Sequence, residues 1–171
     1  MNRKIVFVMG GARSGKSRFA LADASGIPGE KAFIATAEGT DDEMRERIEK
    51  HKSNRGGMWD TYEEPLRVAG LLREIDRKYG VIVLDCLTLW LSNVYQSDLD
   101  CDAEVDGLID SLRDLRSSSV YIVSNEVGMG IVPANGLTRR FRDTAGFLNQ
   151  KVAVLADEAY LIVAGLPVRI K

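Results

Sequence analysis

The octapeptide Gly10-Gly-Ala-Arg-Ser-Gly-Lys-Ser17 constrains this chain more than any other feature, because it satisfies G-x-x-x-x-G-K-[ST] at every fixed position. Such a segment works as a phosphate loop only between a strand and a helix, and the flanks meet that condition. Before it, Lys4-Ile-Val-Phe-Val-Met9 is a short, β-branched, apolar run of the kind that a parallel sheet buries on both faces. After it, Ser17 to Ala24 carries Phe19, Ala20, Leu21 and Ala24 without a breaker, and Gly26-Ile-Pro-Gly29 stops the helix. The backbone of Gly10, Gly11, Ala12, Arg13, Ser14 and Gly15 can then curl its N–H groups around phosphate oxygens, while the following helix points its positive end at the same anion. Lys16 adds a point charge over the β- and γ-phosphates of ATP or GTP, and the Ser17 hydroxyl is placed to ligate Mg2+.

The rest of the chain repeats the strand–helix alternation. Lys31–Thr36 reads as a strand, and Thr40-Asp-Asp-Glu43 has the form of a helix capping box, with a helix expected to about Lys52. Met44, Ile48 and His51 share one face of that helix. Beyond a break at Ser53-Asn-Arg-Gly-Gly57, a strand is expected over Met58–Glu63 and a helix opened by Pro65, its stripe running through Val68, Leu71, Leu72, Ile75 and Tyr79. Val81-Ile-Val-Leu-Asp85 is an apolar strand ending in a carboxylate, followed by a helix over Leu87–Tyr95 and a solvated acidic connection over Asp98–Asp102. A helical stripe from Val105 to Leu115, a strand at Val120–Ser124, a loop over Asn125–Gly136 and a long helix marked by Phe141 to Leu155 come next. Two short β segments, Tyr160–Ala164 and Val168–Ile170, hinged at Gly165-Leu-Pro167, end the pattern. The expected architecture is α/β: one phosphate-loop, three-layer domain over residues 1–171, its mostly parallel sheet carrying an antiparallel edge strand at the C-terminus.

Composition narrows the function classes. At 171 residues the chain is long enough to bury about 70% of its unfolded surface without staples. A net charge of −2 with interspersed cations provides no basic stripe, so nucleic acid is not the expected partner. The apolar run before Gly10 is too short for a signal or a membrane span, which predicts a cytoplasmic protein with no membrane span. Cys86 and Cys101 match neither a disulfide framework nor zinc spacing. The guanine-reading Asn-Lys-x-Asp of switch GTPases does not occur.

Two further residues invite chemistry. Asp85 ends an apolar strand where a carboxylate can face the magnesium ion or the phosphates across the sheet crevice. His51, the only histidine, reads either as a helix-end cation, the commoner role of a lone histidine, or as a nucleophile or acid/base at neutral pH.

Several segments together give a more specific reading: Gly10–Ser17, Ile34-Ala-Thr36, Asp41-Asp-Glu-Met44, Arg47-Ile-x-x-His-Lys52, Asn125-Glu-Val-Gly-Met-Gly-Ile-Val-Pro133 and Phe141-Arg-Asp-x-Ala-Gly146. With them the chain resembles, over nearly its whole length, the bifunctional adenosylcobinamide kinase/adenosylcobinamide-phosphate guanylyltransferase family of cobalamin biosynthesis. That resemblance implies that His51 becomes covalently guanylylated and that Lys52, Ser53, Asn54 and Arg55 contact the guanine nucleotide. It further implies nucleotide contacts from Ala35, Thr36, Ala37, Glu63 and Asp85, the last being Asp where the family carries Glu. The implied substrates are adenosylcobinamide and its phosphate, and the implied assembly is a homotrimer.

Overall fold

The computed structural model describes residues 3–38 and 56–171. The expected capping box and helix over 40–52, with His51 and the adjoining Lys52, Ser53, Asn54 and Arg55, lie outside the described residues.

Among the described residues seven strands make one sheet: β1 (Ile5–Gly10), β2 (Lys31–Ala35), β3 (Asp60–Glu63), β4 (Val81–Asp85), β5 (Ser119–Asn125), β6 (Glu158–Val163) and β7 (Leu166–Arg169). Their order is β3-β2-β4-β5-β1-β6-β7, parallel throughout except for the antiparallel β6–β7 pair. Five helices are described: α1 (Lys16–Ser25), α2 (Val68–Ile75), α3 (Leu87–Gln96), α4 (Cys101–Asp114) and α5 (Gly136–Leu155). Helices α2 to α5 cover one face, packing Leu72, Trp90, Leu108 and Leu148 against Phe7, Ile34, Leu84 and Ile122. On the other face Ala20 and Ala24 of α1 lie against Val6, Val8, Val83 and Tyr121, with Trp59 in the same cluster. Val6, Phe7 and Val8 are fully buried, and burial contributes about 1.5–3 kcal/mol for each side chain of this kind. This is the mostly parallel, helix-covered α/β sheet that the alternation predicts.

Several boundaries differ from expectation, each for a local reason. The strand expected from Met58 begins only at Asp60, because Gly56–Met58 forms a 3-10 turn that leaves Met58 exposed and turns Trp59 into the core. Pro65 does not open its helix: Glu64 Oε1 accepts the N–H groups of Leu66 and Arg67, so a side-chain turn occupies that stretch and α2 starts at Val68. Helix α2 ends at Ile75, short of Tyr79, where Lys78 N–H closes a tighter bond onto Ile75 O. Cys101 and Asp102 belong to α4, since Asp100 caps it through the N–H groups of Asp102 and Ala103. Asn125 is still strand, and α5 begins at Gly136, ahead of its apolar stripe, because Asn135 caps it. The terminal hinge is the two-residue turn Ala164-Gly165, both with φ > 0, so Leu166 and Pro167 are strand residues. Pro167 is tolerated because β7 is the edge.

The approach to β5 is fixed by Asp76 at the end of α2. Its carboxylate accepts from the backbone N–H groups of Arg116 (2.8 Å), Ser117 (3.2 Å) and Ser118 (2.9 Å), while the Ser118 hydroxyl donates to Asp76 O and, at 2.8 Å, to Tyr79 O. Burial raises the Asp76 pKa, but the three N–H groups and the Ser118 hydroxyl together outweigh it and hold the carboxyl below its usual value. A depressed folded-state value means that the carboxylate stabilises the fold above its unfolded pKa, near about 3.9, and that this contribution is lost as pH falls through the folded value. Asp76→Asn should therefore cost about 1–3 kcal/mol in urea unfolding at pH 7, and the gap from the parent protein should narrow as the titration is repeated toward pH 3.

Candidate active site

The phosphate loop is a tightly held piece of backbone. Gly10 closes β1 so near β6 that a Cβ there would stand 2.5 Å from Ile162 O and 2.8 Å from Ser14 Oγ, which only glycine avoids. Arg13 (φ 56°) and Gly15 (φ 99°) turn the chain through left-handed conformations, and Gly15 caps α1 without a side chain, leaving the first-turn N–H groups to face the loop. Lys16, 7% exposed, folds back so that its Nζ donates to Gly11 O at 2.6 Å. The loop is braced from two directions: Glu126 N–H donates to Gly10 O (3.0 Å), and Gly165 N–H in the β6–β7 turn donates to Ser14 O (2.9 Å). Ser14 Oγ is buried and makes no hydrogen bond among the described residues, the kind of donor that a phosphate oxygen satisfies.

The neighbouring strand ends complete the edge. Glu63, Ala35 and Asp85 are register partners across β3, β2 and β4, and Ala35 packs on the α1 side, so the pleat sends all three toward the face that carries the loop. Glu63 is exposed and Asp85 half-buried. Thr36 is fully buried and braces the strand end: its hydroxyl donates to Cys86 O and accepts from Cys86 N–H, both at 2.8 Å, and its N–H donates to Asp85 O at 3.1 Å. Burial, with the Asp85 charge beside it, pushes the Cys86 thiol up to about 11, so it stays protonated. Both cysteines are free thiols.

Sequence reasoning missed the supports of this edge. Asn93, from α3, donates through one amide nitrogen to Thr36 O (2.7 Å) and Pro65 O (3.1 Å), tying the segments after β2 and β3 together. Thr88 Oγ1 accepts from Asn125 N–H at 2.9 Å, and Asn149 links Ser124 Oγ (2.7 Å) to Asn125 O (3.3 Å). The available signal was a polar amide at two mid-helix positions, where asparagine is a poor helix former.

Of the residues singled out from sequence, the structure gathers Gly10–Ser17, Ala35, Thr36, Ala37, Glu63 and Asp85 at one carboxyl edge, while His51 and residues 52–55 lie outside the described residues. The Ser17 hydroxyl and the Asp85 carboxylate are hard oxygen donors. Such a pair suits magnesium, which takes one or two protein oxygens and draws the rest of its shell from phosphates and water.

Comparison with known proteins adds a family. The family profile described as "Cobinamide kinase / cobinamide phosphate guanyltransferase" matches residues 6–170. The chain is 42% identical to the bifunctional adenosylcobalamin biosynthesis protein CobP of Pseudomonas aeruginosa, covering 96% of this chain and 95% of that protein. It is 39% identical to the bifunctional adenosylcobalamin biosynthesis protein CobU of Escherichia coli, covering 98% and 99%. Among solved structures it is similar to the assembled ATPase EscN of enteropathogenic E. coli (TM-score 0.57, 11% identity, 95% of this chain and 43% of that one). The RadB recombinase (TM-score 0.52, 17% identity, 92% and 73%) shares the same fold. At such identities the likeness concerns the fold alone.

Lys16→Ala leaves the glycine turns of the loop and its backbone braces from Glu126 and Gly165 in place, so the variant should fold normally. Loss of a charge-assisted contact to the phosphates should weaken triphosphate binding roughly tenfold to a hundredfold, measured by titration calorimetry alongside a thermal melt.

Proposed function

Since this chain belongs to the cobinamide kinase / cobinamide phosphate guanyltransferase family of adenosylcobalamin biosynthesis enzymes, we propose that it runs two phosphoryl-group transfers on one scaffold. In the first, the hydroxyl oxygen of the aminopropanol arm of adenosylcobinamide bonds to the γ-phosphorus of ATP or GTP. The bond from that phosphorus to the β–γ bridging oxygen breaks, the nucleoside diphosphate leaves, and the hydroxyl proton passes to solvent. The phosphate loop carries this reading: its turns are set by Gly10 and Gly15, its helix end is open to an anion, and Lys16 is buried within it. Catalysis of this kind rests on positioning and charge neutralisation, which a braced loop supplies without reorganisation. Ser17 and Asp85 would hold magnesium, whose charge, when it is bound, offsets that of the phosphate oxygens.

In the second reaction a neutral His51 nitrogen bonds to the α-phosphorus of GTP, the bond to the α–β bridging oxygen breaks, and pyrophosphate leaves. A phosphate oxygen of adenosylcobinamide phosphate then bonds to the same phosphorus, the P–N bond breaks, and adenosylcobinamide-GDP departs with His51 restored. Lys52, Ser53, Asn54 and Arg55 follow the histidine in sequence and are proposed to hold the guanine nucleotide, together with Ala35, Thr36, Ala37 and Glu63.

Incubation with α-labelled GTP followed by a denaturing gel tests this reading. The protein should retain a label that is stable to base and labile to acid, as a phosphoramidate is. Attack needs the neutral ring, so labelling should fall as pH drops through the ordinary histidine range near about 6.5. His51→Asn should abolish the label and guanylyl transfer while adenosylcobinamide phosphorylation stays measurable; a persistent label would sink the assignment, because the chain has no second histidine. Asp85→Asn should shift the magnesium titration of the kinase step to higher concentration more than it weakens nucleotide binding, and superimposable titrations would return Asp85 to a strand-end role.

A further inference from the structure

A kinase must hold its acceptor as well as its donor, and the topology supplies a surface for it. Strands β1 and β5 are neighbours, paired to their last residues at Gly10 and Asn125. The chain leaves β1 toward α1 on one face and leaves β5 toward α5 on the other. Loops that diverge in this way open a crevice at the carboxyl edge, where ligands of α/β sheets bind. One wall of the crevice is the phosphate loop. The other is the segment from Glu126 to Asn135.

That segment is braced at both ends and bare in the middle. Glu126 N–H donates to Gly10 O at 3.0 Å and Gly128 N–H to Glu126 Oε1 at 2.5 Å. At the far end Asn135 Oδ1 accepts from Leu137 N–H at 2.7 Å, and Arg139 Nη1 donates to Pro133 O and Ala134 O at 2.9 and 2.6 Å. Between these anchors Met129, Ile131 and Val132 are 80%, 97% and 61% exposed. Apolar side chains presented on a braced loop beside a site mark a binding surface rather than a folding element.

We infer that Met129, Ile131 and Val132 form the platform on which the corrin disc of the acceptor lies while its hydroxyl arm reaches the γ-phosphorus. This rests on the kinase reading of the site. The chemistry fits: a corrin is a broad, methyl-studded disc with amide-tipped arms, and the phosphate loop proposed to hold the donor forms the opposite wall of the crevice. The reaction needs the acceptor beside the phosphate loop, and this apolar wall is hydrogen-bonded to that loop directly at Gly10 O.

The test is a Met129→Ser/Ile131→Ser double variant in the full chain, with Val154→Ser, an equally exposed apolar residue near the far end of α5, as control. Equilibrium dialysis against adenosylcobinamide, followed by corrin absorbance, measures binding without requiring turnover. The double variant should raise both the Kd and the KM for adenosylcobinamide by about tenfold or more, while the KM for the nucleotide stays within about twofold and the control matches the parent. Unchanged corrinoid affinity in the double variant would overturn the platform, and unchanged affinity with altered sedimentation would assign the loop to contact with a second copy of the chain. A parent protein that binds adenosylcobinamide without phosphorylating it would remove the kinase reading and leave the platform to be judged by dialysis alone. A parent that neither binds nor phosphorylates it would remove both.

Discussion

Everything at the carboxyl edge depends on how β1 is held. Its residues pair with β5 on one side and β6 on the other, and both of its faces are buried, so neither a shift along the sheet nor a rotation out of it is open to the strand. Gly10 is where that confinement becomes chemistry. Because no Cβ fits against Ile162 O, β6 can approach the loop itself, and the β6–β7 turn can reach Ser14 O. The N–H donors of the loop are therefore set by the sheet itself, and a preorganised donor is worth more than one that must be assembled on binding.

The same economy governs the buried polar groups around the site. A threonine hydroxyl, an asparagine amide and a serine–asparagine pair sit in or beside the core, where an unpaired donor or acceptor costs about 1–3 kcal/mol. Each is paired with backbone at a strand end: Thr36 with Cys86, Asn93 with Thr36 and Pro65, Asn149 with Asn125. Hydrophobic packing would hold the sheet together but would leave those ends free to slide. The polar pairs fix them in register, and so carry the order of the core out to the functional loops.

Much of this was legible in the sequence because the signals were local. Fully apolar strands, a complete phosphate-loop motif and a carboxylate at Asp85 each announce themselves within a few residues, and the sheet bears out the strands and their alternation with helices. What could not be read were the long-range pairings. Nothing around Asn93 says that its partners are Thr36 and Pro65, and nothing around Glu126 or Gly165 says that both touch the phosphate loop. Boundaries failed where a side chain replaced a backbone donor or acceptor, as Glu64 did ahead of α2 and Asn135 ahead of α5. At the terminal hinge proline and glycine give the same local turn signal, whereas an edge strand accepts the proline and the turn falls at Ala164-Gly165.

The hydrogen bond from Gly165 to Ser14 carries a consequence for biogenesis. The ribosome makes β1 and the phosphate loop well before the two strands that flank β1 and the turn that fastens the loop. A nascent chain can thus display the whole Gly10–Ser17 motif through most of its synthesis without the geometry that motif requires. The Gly10–Ser17 backbone is fully braced only once β5, β6 and the Ala164-Gly165 turn have closed around β1.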